Sequence, residues 1–442
     1  MGISLKEQRR RGRRRSYADY RPPERNPRPS NDPLRIVVYM LLIGVGIWAY
    51  FNQDIVRSLL TGQPIPDETA SVAGSETAAL VTRQAPVQTS TGPSAESLAA
   101  QAAEAYDNGQ LSDSIDLYAQ ASALDPSTVS YSVEQARLLI YRSALEYGDQ
   151  RDASLQAAID AANQATLNAP FDPSGFAILG KAYDWQGRPD QAQSTIARAL
   201  ELDSSYALGQ SYLAEAQVDL DRWDQAQETI GKALEMAPDS IDVRRDYGYI
   251  LERLGDYASA ATQYEAALQL NANLAFLRVA LARAYRVEGN YTGALDQLFA
   301  AQVTEPNNPI IAFEIGRTYE TYIGNPTEAI NNYQQATDMD PSYPLPWLRL
   351  GTLRYFQGRY PDAISAFERS LALNTETLDL LYQLGLSYAY QGRCDTAIRY
   401  LDQAYNQSEG DQRILDAVAT GYEICAQPTP LPLPTATPES GG

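Results

Sequence analysis

Small residues recur along most of the chain at a nearly constant spacing. The spacing is 34 positions with one step of 35, and the series runs Gly180, Ala214, Gly248, Ala282, Gly316, Gly351, Gly385 and Ala419. Self-similarity at a fixed period of about 20 to 50 residues is the signature of a repeat array. The chain is therefore predicted to be built largely from similar units that follow one another.

The apolar positions inside each unit have helical spacing. Twelve residues after most of the small positions stands an alanine, and seven residues further on comes a second small residue. A larger apolar or aromatic residue, such as Ile196 or Tyr264, lies between the two. Small residues let two helices approach closely, and the larger side chain fills the space beside them. Glycine-containing turns and closing prolines separate the helices. Each unit is thus predicted to be a helical hairpin that buries its apolar face by stacking on its neighbours.

These coincident positions resemble the tetratricopeptide repeat family across about residues 95–426. The resemblance implies an all-α fold, a right-handed superhelical solenoid of helix-turn-helix units over residues 94–426. Nine units are expected to begin near residues 95, 129, 173, 207, 241, 275, 309, 344 and 378, with a capping helix at about 412–426. The second unit is longer, because Pro126 and Pro170 lie 44 residues apart. We assign the excess to a lengthened first helix, Val129 to Tyr147, and its loop. A helical repeat of another kind is the alternative.

In tetratricopeptide repeats the first helices of successive units line a concave groove, where partners bind. The resemblance predicts a ladder of groove residues in this chain, namely Trp185, Arg245, Tyr249, Phe276, Arg283, Arg286, Phe313, Arg317, Arg349, Tyr355, Phe356, Tyr382 and Tyr390. Aligned arginines and aromatic rings suit an extended peptide ligand that is acidic or bears a carboxylate. The alternative is that the arginines pair internally with Asp246, Glu252, Glu314 and Glu320. The asparagines of the family's carboxylate clamp are not matched, so a chaperone-tail ligand is not implied.

The segments outside the repeats predict a membrane anchor. Residues 36–53 carry no charge, and as a helix they span roughly 27 Å, close to the hydrocarbon thickness of a bilayer. The basic, disordered residues 1–35 are expected in the cytoplasm, which places the repeat body outside a cell membrane, behind a single-pass transmembrane helix. A cleaved signal peptide and a buried core helix are the alternatives. Residues 54–93 read as a flexible linker and residues 427–442 as a Pro- and Thr-rich disordered tail.

Composition and charge disfavour catalysis and nucleic-acid binding. The chain has no histidine, which removes the usual general base and the commonest metal ligand. The net charge is −20, and because residues 1–35 hold 11 basic and four acidic residues, the remainder carries −27. Such a body repels nucleic acid. We therefore expect a protein that is not an enzyme and has no cofactor, catalytic residue or bound metal.

Two cysteines give a structural prediction. Cys394 stands at the start of the second helix of the last unit, and Cys425 near the end of the capping helix. In an up-down-up stack these two ends lie at the same edge, and export would place them in an oxidising compartment, so a disulfide is predicted. Two free, partly buried thiols are the alternative.

The leading functional hypothesis is a scaffold tethered to the outer face of a membrane, which binds protein or peptide segments in its groove. The residues also allow a self-associating structural envelope protein, or an accessory subunit of an enzyme acting on secreted or cell-wall material. Neither the identity of the partner nor the oligomeric state follows from groove chemistry.

Overall fold

The computed structural model describes residues 92–426, which consist of 19 α-helices, one short π-helix and their connections, without a strand in that range. The helices are α1 Ala95–Asp107, α2 Leu111–Leu124, α3 Val129–Ser143, α4 Gly148–Asn168, α5 Pro173–Trp185, α6 Pro189–Leu202, α7 Ala207–Asp219, α8 Trp223–Met236, α9 Ile241–Leu254, α10 Tyr257–Leu270, α11 Ala275–Val287, α12 Tyr291–Thr304, α13 Pro309–Arg317, α14 Pro326–Met339, α15 Pro344–Phe356, α16 Tyr360–Ala372, α17 Leu378–Tyr390, α18 Cys394–Gln407 and α19 Gln412–Ile424.

Consecutive helices pair into hairpins, and the hairpins stack into an all-α repeat solenoid. The first helix of each hairpin begins at the position where the sequence repeat begins, from Ala95 to Leu378. Helix α19 follows the ninth hairpin and packs on α17 and α18. The buried apolar side chains of the described residues form four clusters along this array.

Close helix contact inside each hairpin explains the small-residue series. A β-carbon added at Gly248 would lie 2.5 Å from the Tyr264 ring, and one added at Gly351 would lie 2.5 Å from the Phe367 ring. Tyr264 and Phe367 are themselves fully buried. Glycine on the first helix therefore makes room for a large ring on the second, and the pair locks the hairpin.

Local sequence signals define the helix ends. Asn308 caps α13 by accepting hydrogen bonds from the amides of Ile310 and Ile311, and Pro309 stands at the first helical position. Gly255 ends α9 in the left-handed region with φ +84°, where a side chain would be strained. These signals recur from unit to unit, so they set the register of the array.

The second unit differs from the prediction. Its first helix ends at Ser143, and the extra length lies in the second helix, Gly148–Asn168, which has 21 residues against 14 in most second helices. The prediction that Val129 to Tyr147 forms one long helix is therefore wrong. Gly148, with φ +52°, follows a short turn and begins α4.

The single step of 35 in the repeat has a structural counterpart. Helix α13 passes into a π-helix, Thr318–Ile323, before Gly324 ends it in the left-handed region with φ +75°. A π-turn absorbs one extra residue while the helix continues. The inserted residue is thus accommodated within the first helix of the seventh unit, and α14 keeps its usual place.

The predicted cell-membrane location is corrected. Within residues 92–426 no helix is both long and apolar enough to cross a bilayer. The segment that suggested the anchor, residues 36–53, lies outside the described residues, as do residues 1–35, the linker up to residue 91 and the tail from residue 427. The structure therefore gives no support to a single-pass anchor.

Candidate partner-binding surface

Charged side chains of three first helices meet inside the array. Lys181 on α5 donates a hydrogen bond of 2.8 Å to Asp246 on α9, and its ammonium group lies 3.5 Å from Glu215 on α7. Arg245 contacts the same two carboxylates, at 2.5 Å for Glu215 and 2.9 Å for Asp246. Lys181 and Asp246 are almost completely inaccessible, with 1% and 0% exposure. Because α5 and α9 are two units apart, this contact shows that the inner surface is closed here.

A fifth ionisable group, Asp184, lies beside this cluster without a full set of partners. It is 3% exposed, and its Oδ1 atom accepts no hydrogen bond. Burial raises the pKa of Asp184 well above its usual value, and repulsion from Asp219 and Glu215 raises it further. The surroundings of Asp184 therefore favour its neutral acid form. Glu215 differs, because the charges of Arg245 and Lys181 outweigh its burial and lower its pKa.

Helix α3 packs against the inner faces of later first helices at this end of the array. The Tyr141 ring stacks on Phe276 of α11 with centroids 4.5 Å apart, and its hydroxyl donates to Asp242 of α9. Tyr212 donates to the same carboxylate at 3.0 Å, and the Arg137 guanidinium lies 3.4 Å from it. The first helices from α3 to α11 thus converge on one another and leave their inner faces covered.

The turns of the first two units hold this arrangement together. Asn271 and Asn273, which precede α11, donate hydrogen bonds of 3.2 and 2.8 Å to the carbonyl oxygens of Tyr106 and Asp107. Asn308 donates to the Leu145 carbonyl oxygen at 3.2 Å. The cavity at this junction measures about 10 Å³, roughly the space of one water molecule. The junction therefore has no room for a peptide.

A second tyrosine extends these contacts toward the later units. Tyr147, in the turn between α3 and α4, donates a hydrogen bond to Asp340, 193 positions away. Its ring stacks on Tyr343 with centroids 4.1 Å apart. We call the surface sealed by these contacts, from α3 to the start of α15, the sealed inner surface.

The five predicted groove arginines are all engaged by neighbouring carboxylates, as the alternative interpretation of the sequence proposed. Arg286 lies 2.6 Å from Glu314, and Arg317 approaches the same carboxylate at 3.4 Å. Arg349 donates to Glu320 at 2.9 Å, and the Arg283 guanidinium is 3.8 Å from Glu252. Burial raises the pKa of Glu314, but the charges of Arg286 and Arg317 outweigh it and bring the pKa to about 2. Arg317 and its partner Glu314 lie on one helix, whereas the other four arginines link successive first helices.

Several other predicted groove residues are turned inward. Phe276, Arg286, Phe313 and Tyr382 are buried, so they present no surface to a partner, and their place in the predicted groove is corrected. Trp185 is half-buried, donates its indole N–H to Glu215 and carries the Arg245 guanidinium over its ring at 4.5 Å. The Tyr249 hydroxyl donates to Asp219 at 2.7 Å. The physical reason is close packing by neighbouring elements: Tyr141 of α3 stacks on Phe276, and Tyr333 and Tyr343 pack against Phe313.

Four aromatic residues near the end of the array behave differently. Phe356 is 70% exposed at the end of α15, and Tyr390 is 44% exposed at the end of α17. The Tyr390 ring stacks on Tyr360 with centroids 4.4 Å apart, and Tyr355 lies within 6.1 Å of Tyr360 and 5.3 Å of Phe356. We call this group, Tyr355, Phe356, Tyr360 and Tyr390, the aromatic surface. It lies where the turns of the eighth and ninth units meet.

The hydroxyl groups of the aromatic surface are free to bind a ligand. Among residues 92–426 the hydroxyls of Tyr355, Tyr360 and Tyr390 have no hydrogen-bond partner, whereas Tyr333 and Tyr388 donate to carboxylates. Burial raises the pKa of Tyr355 to about 12, with Tyr390 a smaller cause. The phenol therefore keeps its proton and remains a donor at physiological pH.

Sequence reasoning found three members of the aromatic surface and missed the fourth. Tyr360 begins the second helix of its unit, a position outside the groove ladder. It belongs to the aromatic surface because its ring stacks on Tyr390. The sequence signal for this position was the turn of three residues between Phe356 and Tyr360, which keeps the two rings near each other. Nothing local in the sequence marks Lys181 or Asp184 as buried.

The last two helices are joined covalently beside this surface. A disulfide links Cys394 at the start of α18 to Cys425 just after α19, with the Cα atoms 5.5 Å apart. Cys394 follows Tyr390 after a turn of three residues. The end of the capping helix is thus fixed at the edge that carries the aromatic surface.

Comparisons with known proteins agree with the repeat architecture. Family models of the tetratricopeptide repeat match residues 213–275, 311–343 and 345–410. The chain therefore contains tetratricopeptide repeats, arranged as an all-α solenoid in the part that the structure describes. No curated protein matches the sequence.

Solved structures of low identity resemble the chain. The human IFIT1 dimer with m7Gppp-AAAA is 20% identical, with 68% of each chain covered and a TM-score of 0.47. The APC/C hetero-tetramer Cut9–Hcn1 is 14% identical, with 74% of this chain and 76% of that one covered and a TM-score of 0.48. YrrB, described as a TPR protein with an unusual peptide-binding site, is 23% identical, covers 42% of this chain and 96% of its own, and has a TM-score of 0.32.

Proposed function

We propose that this chain is a non-enzymatic protein-interaction scaffold that binds an extended segment of a partner protein on the aromatic surface. The observation that carries the proposal is the 70% exposure of Phe356 next to the stacked rings of Tyr360 and Tyr390. Exposed aromatic side chains on a rigid support are typical anchors of protein interfaces, because ordering them on binding costs little conformational entropy.

The same contacts argue for an uncharged ligand segment. An acidic peptide would have to displace Glu314 or Glu320 from the arginines that they already engage, and breaking such partly buried pairs is costly. Rings with free phenol hydroxyls instead suit a segment with apolar or proline side chains and accessible backbone carbonyl groups. The aromatic surface therefore replaces the arginine ladder as our candidate site.

Site-specific photo-crosslinking tests this function. A photoreactive phenylalanine analogue at position 356 is compared with the same analogue at Phe171, which is 80% exposed and lies in the loop before α5. We expect position 356 to capture a distinct partner protein that position 171 does not capture, and Tyr390→Ala to reduce that product.

The possible results separate the alternatives. Identical products from positions 356 and 171 would mean that exposure alone explains capture, and the proposal would be wrong. Products consisting only of a second copy of this chain would favour a self-associating protein instead. A turnover activity retained by the purified chain would contradict its non-enzymatic character.

A further inference from the structure

The aromatic surface lies close to the point where the chain leaves the described structure. The disulfide holds Cys425 with its Cα 5.5 Å from that of Cys394. Cys394 is four residues from Tyr390, so their Cα atoms are at most about 15 Å apart. The Cα atom of Cys425 is therefore within about 20 Å of the Cα atom of Tyr390, so the described residues end at the same edge as the stacked rings.

The sequence that follows has the composition of a ligand for such rings. Residues 427–434 read QPTPLPLP, with proline at every second position, and the first charged residue after Ala426 is Glu439. Proline-rich segments favour the polyproline II conformation, whose carbonyl groups are unpaired and which binds grooves lined by aromatic side chains. Eight residues in this conformation reach about 25 Å. The ring centroids from Tyr390 to Phe356 are linked by steps of 4.4, 6.1 and 5.3 Å, so the segment is long enough.

We propose that residues 427–434 dock on the aromatic surface of the same chain and act as an internal ligand for it. The prolines and leucines pack on the rings of Phe356, Tyr360 and Tyr390, and phenol hydroxyls donate to the carbonyl oxygens of the segment. Charge does not oppose the contact, because neither the segment nor the four rings are charged. The disulfide raises the local concentration of the segment by fixing its origin at the correct edge.

This inference stands independently of the proposed function, because a protein can cover a surface with its own tail whether or not a partner binds there. If both hold, the tail competes with the partner, and binding requires that the tail be displaced. An effective concentration of about 1 mM would keep a segment with a Kd of about 0.1 mM docked in roughly nine molecules of ten.

Hydroxyl-radical footprinting of the full chain tests the inference. The variant Pro428→Ala/Pro430→Ala/Pro432→Ala/Pro434→Ala keeps the length of the tail but removes its proline pattern. We expect Phe356 and Tyr390 to be oxidised roughly five to ten times more slowly in the natural chain than in this variant. Phe171 is the internal control, because it is exposed and remote in sequence from this edge, and its oxidation rate is expected to be equal in both.

Two additions make the result decisive. A synthetic peptide of residues 427–438, added to the alanine variant, is expected to restore protection of Phe356 and Tyr390, and a peptide with the four alanines is not. Equal oxidation of Phe356 and Tyr390 in the two chains would overturn the proposal, whatever the crosslinking experiment shows. Protection that grows with protein concentration would also overturn it, because the tail would then be binding a second copy.

Discussion

Two phenylalanines from the same predicted groove have opposite surroundings. Phe276 on α11 is 6% exposed under the Tyr141 ring, whereas Phe356 on α15 is 70% exposed and contacts Tyr355. In the sealed inner surface, side chains from units two apart are in contact. The turns of the first two units also accept hydrogen bonds from the loops that precede α11 and α13. At the aromatic surface no earlier turn within residues 92–426 covers the Phe356 ring. A groove position therefore provides a binding surface only where the neighbouring units leave its side chain exposed.

The chemistry of the two regions differs in the same way. The sealed inner surface contains Lys181 and Arg245 facing Glu215 and Asp246, which hold the helices in place and satisfy one another. The aromatic surface has uncharged rings with free hydroxyls. Charged side chains are therefore concentrated where helices of the chain contact one another, and uncharged aromatic rings are left exposed at the aromatic surface.

The largest effect on stability is expected from breaking the buried ion cluster. Lys181→Met leaves Asp246 and Glu215 buried with one cation fewer, and the free energy of unfolding should fall by about 3 to 5 kcal/mol. The midpoint of urea denaturation, followed by circular dichroism, measures this. Lys232→Met is the matched control, because Lys232 pairs with Glu228 in an exposed position. A similar small change in both variants would show that the sealed inner surface is not closed.

Alanine substitution of the two phenylalanines tests the comparison directly. Phe276→Ala removes a packed ring beside Tyr141 and should destabilise the protein by about 3 kcal/mol or more. Phe356→Ala should change stability by less than about 0.5 kcal/mol, while it reduces binding at the aromatic surface. Thermal and chemical unfolding of both variants measure the contrast. Equal destabilisation would contradict the difference in exposure between the two rings.

Acid should weaken the inner surface through Glu314. The pKa of Glu314 is about 2 in the folded protein, below the ordinary value of 4.5 for glutamate. The stabilisation is therefore complete above about pH 4.5 and is lost as the pH falls toward 2, by about 3 kcal/mol in total. Glu314→Gln should lack this part of the acid dependence, as judged by urea midpoints between pH 5 and pH 2.5. An unchanged slope would mean that the arginine pairs do not lower the pKa.

Asp184→Asn should have a small effect on stability, of the opposite sign. The raised pKa of Asp184 means that this group favours the folded state below about pH 3.8, its usual value, and loses that contribution as the pH rises through its folded-state pKa. The amide cannot ionise, so the variant should be more stable at pH 8 by on the order of 1 kcal/mol. The gain should be smaller at pH 5. A loss of stability at pH 8 would show that the Asp184 carboxylate is needed.

The sequence alone determined the helices, the hairpins and the order of the units. The starts of the first helices, the close contact of Gly248 with Tyr264 and the caps such as Asn308 are local signals that recur in each unit. They depend on residues a few turns apart, so periodicity and helix chemistry are sufficient to read them. Three of the four rings of the aromatic surface could be named for the same reason.

The tertiary structure decided which inner positions are open. Lys181 meets Asp246 across 65 positions, and Tyr147 meets Asp340 across 193. Such contacts depend on the small rotation between successive units, which accumulates along an array and is not encoded at any one position. The second unit's long α4 and the π-helix after α13 also follow from fitting extra residues into that array. The burial of Phe276 and the exposure of Phe356 are therefore consequences of the curvature of the whole stack.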